Sequence, residues 1–305
     1  MTLAPIVLFV YNRLWHTQQT LESLQRNELA GESELSIYSD APRNENDRAG
    51  VEKVREYIRD IQGFKLVSII ERSENYGVDK SIIAGVTEVI DRYGKIIVLE
   101  DDLESHPQFL TYMNNALEKY KSNRNVFSIT GYSYTNNIED EGLDDTYFLQ
   151  LTNSWSWATW KNRWDELDTS AAGWEELRRN SELRKRFDFD NAYPYAKMLE
   201  TQMKRGINTW DILWYWTAFR RGGLTLYPAK ALVRNIGYDG SGVHCADIGN
   251  DSLLSDKKYA LSLSEGVIEK KQIREHAVRS IRKKYNHTLY VKIKLKLKKY
   301  LSGKG

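Results

Sequence analysis

The chain of 305 residues contains one cysteine, Cys245, and only five prolines. A single cysteine excludes an intrachain disulfide and a cysteine-rich zinc site, and so few prolines exclude collagen-like and proline-rich disordered chains. No apolar run approaches the roughly 18–20 residues that cross a bilayer. The first twelve residues lack the basic segment and the small-residue cleavage site of a secretion signal, so a reducing cytoplasm is the expected compartment.

Charge is distributed unevenly along the chain. Residues 266–305 hold 13 Lys or Arg against two Glu, a net charge of +11, while residues 1–265 hold 31 against 40 Asp or Glu, a net charge of −9. Nucleic-acid-binding domains usually carry a basic patch or stripe of their own, so an acidic body with a basic tail does not indicate a nucleic-acid partner.

The first 130 residues alternate short apolar stretches with amphipathic ones, which predicts parallel strands joined by helices. The predicted strands cover 6–11, 35–38, 66–70, 96–99 and 126–130. The predicted helices begin at Thr17, cover 47–61, begin at Asp79, and cover 107–120, 175–187, 191–205 and 211–221. Ligands bind such sheets beyond the carboxyl ends of the strands. We therefore expect the polar residues that end three strands to meet at one edge: Asn12 and Arg13, Asp40, and Glu100-Asp101-Asp102.

The sharpest local feature is the run Glu100-Asp101-Asp102, directly after an apolar strand. Mg²⁺ and Mn²⁺ prefer oxygen ligands, and Mg²⁺ is typically held by one or two carboxylates together with substrate phosphates. A metal here would neutralise charge on a leaving diphosphate. A solvated acidic turn before the helix near Pro107 explains the same run, because acids suit a helix N-terminus. The neighbouring polar strand ends favour the metal site.

These residues carry a resemblance to a known family. The segment from Val98 to Glu104, followed by Pro107-Gln108-Phe109, resembles the metal-binding segment of the N-acetylglucosaminyltransferase I family and, more broadly, of nucleotide-sugar glycosyltransferases with the GT-A fold. The resemblance covers about residues 4–250. It implies an α/β fold with a mostly parallel central sheet, and a metal-dependent, inverting transfer of a sugar from a nucleoside diphosphate. We assign Asp102 to the metal and Glu100 and Asp101 to the nucleotide sugar.

Further positions resemble the family in order along the chain. Pro5-Ile6-Val7 leading to Asn12-Arg13 resembles the first strand, which implies that Asn12 and Arg13 contact the nucleotide. Ser39-Asp40 resembles the segment whose aspartate reads the uracil. Gly242-Val243-His244 resembles a loop over the diphosphate, although a lone histidine is more often structural. The eukaryotic members carry an N-terminal membrane anchor that is lacking here, and residues 154–164 are more similar to bacterial family-2-like glycosyltransferases.

The segment from Trp210 to Trp214 resembles the family's segment with the catalytic base, which assigns that role to Asp211. An inverting transfer is a single displacement, so it needs one base near the acceptor hydroxyl. Desolvation by flanking indoles would raise the pKa of a carboxylate and suit it to this task. Thr209 or Asp211 could instead cap the helix that follows, and the two roles can coexist.

Eight of the nine tryptophans lie between residues 155 and 216. Indoles anchor hydrophobic cores because they bury a large area, and their faces also stack on the apolar faces of sugar rings. We expect most of these tryptophans in the core, with Trp157 and Trp210 lining the sugar site.

The sequence divides into a nucleotide-sugar-binding half, 1–150, an acceptor-binding and catalytic half of the same domain, 151–255, and a basic helical tail, 256–305. Apolar residues alternate with lysines over 291–299, which gives an apolar and a cationic face if this stretch is extended, and a basic surface all round if it is helical. Such a tail favours an anionic membrane surface. A solvated tail explains it equally, and no motif for nucleic-acid binding accompanies it.

We therefore expect a hexosyl- or N-acetylhexosaminyltransferase that uses Mn²⁺ or Mg²⁺, with UDP-GlcNAc as a candidate donor. Its acceptor would be a glycan or lipid-linked glycan of bacterial surface polysaccharide, at the cytoplasmic face of the membrane. One alternative is a nucleotidyltransferase that makes nucleotide sugars, although such enzymes usually show a glycine-rich loop where this chain has Val10 to Arg13. The other is a non-catalytic glycan- or membrane-binding protein, which leaves the acidic run unexplained.

Overall fold

A computed structural model describes residues 2–136, 144–206, 210–239, 254, 257–259 and 261–301, with residues 287–301 described by their backbone alone. Within these ranges no helix has both the length and the apolar character that crossing a bilayer requires. The described part of the chain contains ten strands: β1 Ile6–Val10, β2 Glu34–Ser39, β3 Leu66–Glu71, β4 Lys95–Glu100, β5 Leu103–Ser105, β6 Val126–Thr130, β7 Thr146–Leu149, β8 Trp157–Trp160, β9 Leu224–Pro228 and β10 Val233–Asn235.

Eight of these strands form one mixed sheet in the order β3-β2-β1-β4-β8-β6-β9-β7, and β10 pairs with β5 separately. Strands β3, β2, β1 and β4 are mutually parallel. Strand β8 is antiparallel to both β4 and β6, and β7 is antiparallel to β9, so the other six strands of the sheet run in one direction. The expected GT-A-like α/β class, with a mostly parallel central sheet, is therefore confirmed.

Helices flank the sheet, and they are α1 Leu14–Gln25, α2 Glu45–Arg59, α3 Gly77–Tyr93, α4 Phe109–Tyr120, α5 Lys161–Trp164, α6 Glu176–Arg179, α7 Ser181–Phe187, α8 Tyr195–Arg205, α9 Trp210–Arg220 and α10 Lys271–Leu301. Strand β1 is buried on both faces, as expected for a central parallel strand. Its alternate residues belong to two core clusters, one shared with α1, α2 and α4 and the other with α3 and α9. The sheet is thus the middle layer of three.

Several helix boundaries differ from the sequence prediction, and three of them concern residues that the sequence predicts as helix starts or as one continuous helix. Helix α1 begins at Leu14, and Thr17 lies inside it, where its hydroxyl donates to the carbonyl of Arg13 at 3.0 Å. Helix α3 begins at Gly77, so Asp79 lies within its first turn. The predicted helix 175–187 is two helices, because the side chain of Asn180 caps α7 by accepting from the N–H of Leu183 at 3.0 Å.

The first half of α10 is packed into the body of the protein. Four of its apolar residues are buried in a third core cluster, beside aromatic side chains of α7 and α9: Ile273, Ala277, Val278 and Ile281. Arg274 pairs with Asp190 at 2.7 Å and with Glu269 at 2.8 Å. The backbone of 291–301 is helical, so the extended alternative for this stretch is wrong.

We predict that Ile273→Ala lowers the free energy of unfolding by about 2–4 kcal/mol, because it removes a buried side chain and leaves a cavity. Ile273 is 6% exposed, whereas Ile268, just before the helix, is 61% exposed. The matched change Ile268→Ala should therefore stay within about 0.5 kcal/mol of the unaltered protein. Urea unfolding of both variants measures the difference. Equal stability of the two variants would mean that α10 is not docked as described.

Candidate active site

The carboxyl ends of β2, β1 and β4 lie side by side, because these strands are neighbours in the sheet. Val10 is in register with Ser39, and Phe9 is in register with Glu100. The residues that follow each strand therefore start from one edge. The predicted meeting of the three polar strand ends is confirmed, and we call this edge the strand-end site, comprising Arg13, Asp40, Glu100, Asp101 and Asp102.

Arg13 binds both aspartates of the acidic run. One guanidinium nitrogen, Nη2, donates to Oδ1 of Asp101 and to Oδ2 of Asp102, the latter at 2.8 Å. Burial alone would lower the pKa of Arg13, but the charges of Asp101 and Asp102 and their hydrogen bonds raise it above its ordinary value. Arg13 therefore stays charged and offsets part of the repulsion between the two carboxylates.

Glu100 lies in a surplus of negative charge. The pKa of Glu100 is raised to about 8. Burial is the largest cause, the carboxylates of Asp102, Asp101 and Asp211 also raise the pKa, and Arg13 lowers it. A carboxyl group with such a pKa is largely protonated at neutral pH, so it can donate a hydrogen bond to a substrate oxygen. Because the Asp211 carboxylate contributes to the raised pKa of Glu100, this residue of α9 lies close enough to the acidic run to act on it.

A segment after β10 covers Asp102 and has no counterpart in the sequence prediction. The N–H of Ile236 donates to the backbone carbonyl of Asp102 at 2.9 Å, and Nδ2 of Asn235 approaches Oδ1 of Asp102 at 3.4 Å. Gly237 packs so tightly here that a Cβ would lie 2.3 Å from Oδ2 of Asp102. Gly237 is visible in the sequence as a position where another segment could approach closely. The sequence does not show that this segment contains Asp102.

Asn12 and Asp40 make contacts that organise the edge. Nδ2 of Asn12 donates to Asp47 of α2 at 3.2 Å. The carboxylate of Asp40 accepts from the N–H of Tyr76 and from the N–H of Gly77, both at 2.9 Å, at the start of α3. The assignment of Asn12 and Asp40 to the nucleotide therefore stays a prediction. In the structure, Asn12 contacts α2 and Asp40 contacts the start of α3.

Asp211 lies in the first turn of α9, next to the strand-end site. Its Oδ1 accepts from the N–H of Ile212 at 3.0 Å. The N–H of Trp210 is bound instead by Asp79 of α3, at 2.9 Å. Asp79 thus fixes where α9 begins. Thr209, the other proposed cap, lies outside the described residues.

Trp157 and Trp210 are core residues, which corrects the expectation that they line a sugar site. They are 1% and 4% exposed. The ring of Trp157 packs against three other indoles, with centroids 5.2 Å from Trp210, 5.5 Å from Trp164 and 6.2 Å from Trp214. A sugar could not stack on these faces without displacing another ring. His244 lies outside the described residues.

The residues of the strand-end site fit a divalent cation shared with a substrate. Among the described residues no group of three or more His, Cys, Asp or Glu side chains could hold a metal alone. Oδ2 of Asp101 is buried and has no hydrogen-bond partner within the described part of the chain. Two carboxylates with an unfilled oxygen match the way Mg²⁺ is bound by one or two carboxylates plus phosphates. Asp102, the predicted ligand, therefore fits such a cation, and Asp101, which the resemblance assigned to the nucleotide sugar, fits beside it.

The family comparison agrees with this geometry. Residues 6–224 match the family described as Glycosyl transferase family 2, which covers more than half of the chain. The chain belongs to this family. The α10 helix lies outside the matched residues. No curated protein matches the chain.

Several solved structures resemble the chain distantly. S. aureus TarS is 12% identical with a TM-score of 0.43, over 75% of this chain and 36% of its own. The mannosyltransferase PcManGT from Pyrobaculum calidifontis, in complex with GDP-Man and Mn²⁺, is 10% identical with a TM-score of 0.37, over 71% and 72%. Mouse xyloside xylosyltransferase 1 is 10% identical with a TM-score of 0.38, over 72% and 81%. This chain thus spans about a third of the TarS chain.

We predict that Gly237→Ala weakens binding of a nucleoside diphosphate in Mn²⁺ by roughly tenfold or more, about 1.4 kcal/mol, because the new methyl group must displace the Asp102 carboxylate. The matched control is Gly31→Ala, where a Cβ meets nothing within 4 Å. Titration calorimetry with UDP, GDP, CDP and dTDP measures the affinities. If Gly237→Ala bound the nucleotide with wild-type affinity, Asp102 would have no role in nucleotide binding.

Proposed function

We propose that this chain is a metal-dependent, inverting glycosyltransferase that moves a sugar from a nucleoside diphosphate, with UDP-GlcNAc as the first donor to test. The observation that carries the proposal is the convergence of Arg13, the three strand-end carboxylates and Asp211 on one site. Membership of glycosyl transferase family 2 supports sugar transfer over nucleotide transfer and over a non-catalytic role.

Asp101 and Asp102 would hold the cation together with the donor diphosphate. A bound Mg²⁺ or Mn²⁺ supplies charge neutralisation for the departing diphosphate. Arg13 adds a positive charge in the same place, and its planar guanidinium suits phosphate oxygens as well as carboxylates. Glu100, when protonated, donates a hydrogen bond to an oxygen of the donor. Asp40 keeps the start of α3 in place beside this edge.

The transfer is one displacement at the anomeric carbon. Asp211 takes the proton from the acceptor hydroxyl, and the acceptor oxygen forms the new bond to the anomeric carbon. The bond from that carbon to the diphosphate oxygen breaks, and the nucleoside diphosphate leaves with the electron pair. Burial is the largest cause that raises the pKa of Tyr193 and Tyr195, and the Asp211 carboxylate adds to it. Asp211 thus acts electrostatically on both Glu100 and these tyrosines, which suits a base between a donor and an acceptor.

For the acceptor we propose a glycan or lipid-linked glycan of surface polysaccharide, used at the cytoplasmic face of a bacterial membrane. Two observations support this acceptor. The aromatic side chains of Tyr193 and Tyr195, on which Asp211 acts electrostatically, suit a glycan. The net charge of +11 on residues 266–305 suits an anionic membrane surface. The docked half of α10 shows that this basic segment is also a structural part of the body.

Asp102→Asn tests the metal site. We expect Mn²⁺-dependent affinity for UDP or the preferred nucleotide to fall by at least roughly tenfold, about 1.4 kcal/mol, because one ligand charge is removed at constant shape. Arg13 keeps Asp101 as a partner, so the fold should survive, as measured by the melting temperature. The control Asp91→Asn alters a half-exposed carboxylate near the far end of α3. If Asp102→Asn binds nucleotide and metal as well as the control does, the assignment is wrong.

Asp211→Asn tests the base. Asparagine can still accept from the N–H of Ile212 but cannot take a proton from a hydroxyl. We expect the rate of transfer to fall by roughly 10²–10⁴-fold, the usual contribution of a general base, while donor affinity and melting temperature stay nearly unchanged. Steady-state kinetics beside the Asp91→Asn control measure this. Turnover close to wild type in Asp211→Asn would leave the residue with a structural role alone.

A further inference from the structure

Two consecutive residues of α10 reach opposite sides of the active site. Nζ of Lys284 lies 4.6 Å from the ring centre of Trp155, 5.1 Å from that of Tyr238 and 5.7 Å from that of Tyr132. The ring of Tyr285 lies 5.0 Å from that of Tyr193. Both residues are half-buried, and both belong to the part of the chain outside the family match. A helix outside the family match thus borders the site.

The Lys284 side of this contact adjoins the donor edge. Tyr238 follows Gly237, which packs on the carboxylate of Asp102. The ring of Trp155 lies 5.5 Å from Tyr238 and 5.0 Å from Tyr132, edge-to-face in both cases. A lysine over three aromatic faces is held by the negative potential of the rings. Lys284 therefore keeps these rings together next to the acidic run.

The Tyr285 side adjoins the base. Tyr193 contacts Tyr195 with ring centres 4.8 Å apart, and both precede or begin α8. Burial raises the pKa of Tyr193, and Tyr285 and then the Asp211 carboxylate add to the shift. The Asp211 carboxylate therefore acts on a tyrosine that belongs to a group of half-buried rings.

The residue after Trp155 is strained in a way that points to this site. Ser156 has a φ of 49°, in the left-handed region that side chains larger than glycine rarely adopt. Its hydroxyl is fully buried and has no hydrogen-bond partner among the described residues. Backbone strain of this kind persists at functional sites where the surroundings fix it. Ser156 lies directly after Trp155, whose ring contacts Tyr238.

We propose that six aromatic residues and Lys284 form the acceptor-binding surface of the enzyme, and that α10 determines which acceptor is used. We call this surface the aromatic rim: Tyr132, Trp155, Tyr193, Tyr195, Tyr238, Tyr285 and Lys284. Its ligand is a carbohydrate, because half-buried tyrosine and tryptophan rings combine an apolar edge for sugar C–H groups with a polar tip for hydroxyls. The inference rests on the proposed function, since it assigns the acceptor side of the same site.

The test compares acceptor and donor kinetics in the full-length protein. The probes are p-nitrophenyl glycosides of glucose, galactose and N-acetylglucosamine as acceptors, with hydrolysis of the nucleotide sugar by water as the donor-side reference. The variants are Lys284→Met, which keeps the length of the side chain, and Tyr285→Ala. The matched control is Lys283→Met, an exposed neighbour on the same helix. Tyr285→Phe retains the ring and should restore function, and melting temperatures identify any variant that fails to fold.

We expect Lys284→Met and Tyr285→Ala to raise the KM for the best glycoside by about tenfold, as loss of one ring contact implies, with donor KM and hydrolysis within about twofold of wild type. Lys283→Met should match wild type, and Tyr285→Phe should recover most of the acceptor affinity that Tyr285→Ala loses, because it keeps the ring. An unchanged acceptor KM, or an equal rise in donor KM, overturns the inference. Donor hydrolysis without use of any glycoside also overturns it but leaves the proposed function standing. Absence of donor turnover in wild type would reject the proposed function itself.

Discussion

The guanidinium of Arg13 lies between two carboxylates that would otherwise repel each other, and the strand-end site is arranged around that contact. Leaving a buried charge without its partner typically costs about 3–5 kcal/mol, so neither aspartate could occupy this edge without a cation. Arg13 supplies one charge against three carboxylates, and Asp211 adds a fourth nearby. Burial and this remaining imbalance together raise the pKa of Glu100, and a further cation at the site would offset the imbalance.

The insertion of β8 between β4 and β6 joins the two halves of the reaction in one sheet. Trp157 is paired with Val98, two residues before Glu100, and Trp155 and Ser156 come just before β8 begins. Trp155, one of the residues that we propose for the acceptor side, is therefore attached to the same backbone ladder that ends in the acidic run. Direct pairing of these strands suits the proposed single displacement between two held reactants.

The sequence predicted what depends on local pattern. Short apolar strands that end in polar residues located the strand-end site, because parallel strands bring equivalent ends together. Contacts between distant segments were inaccessible: Asp79 binding Trp210 and Gly237 covering Asp102 follow from packing alone. Trp157 shows the same limit, since the antiparallel placement of β8 decides whether its indole faces a core or a ligand. In α10 the apolar residues 273, 277 and 281 recur at helical spacing, but the high density of basic residues favoured a solvated or membrane-binding tail over a docked helix.

Two carboxylates act at the two sides of the first turn of α3. Asp40, which follows β2, binds the N–H groups of Tyr76 and Gly77, and Asp79 binds the N–H of Trp210, the residue before the proposed base. One turn of α3 therefore connects the predicted nucleotide end of the site with Asp211. A displacement of this turn would move both ends of the site together, so the distance between the nucleotide end and the proposed base is set by a single helix start.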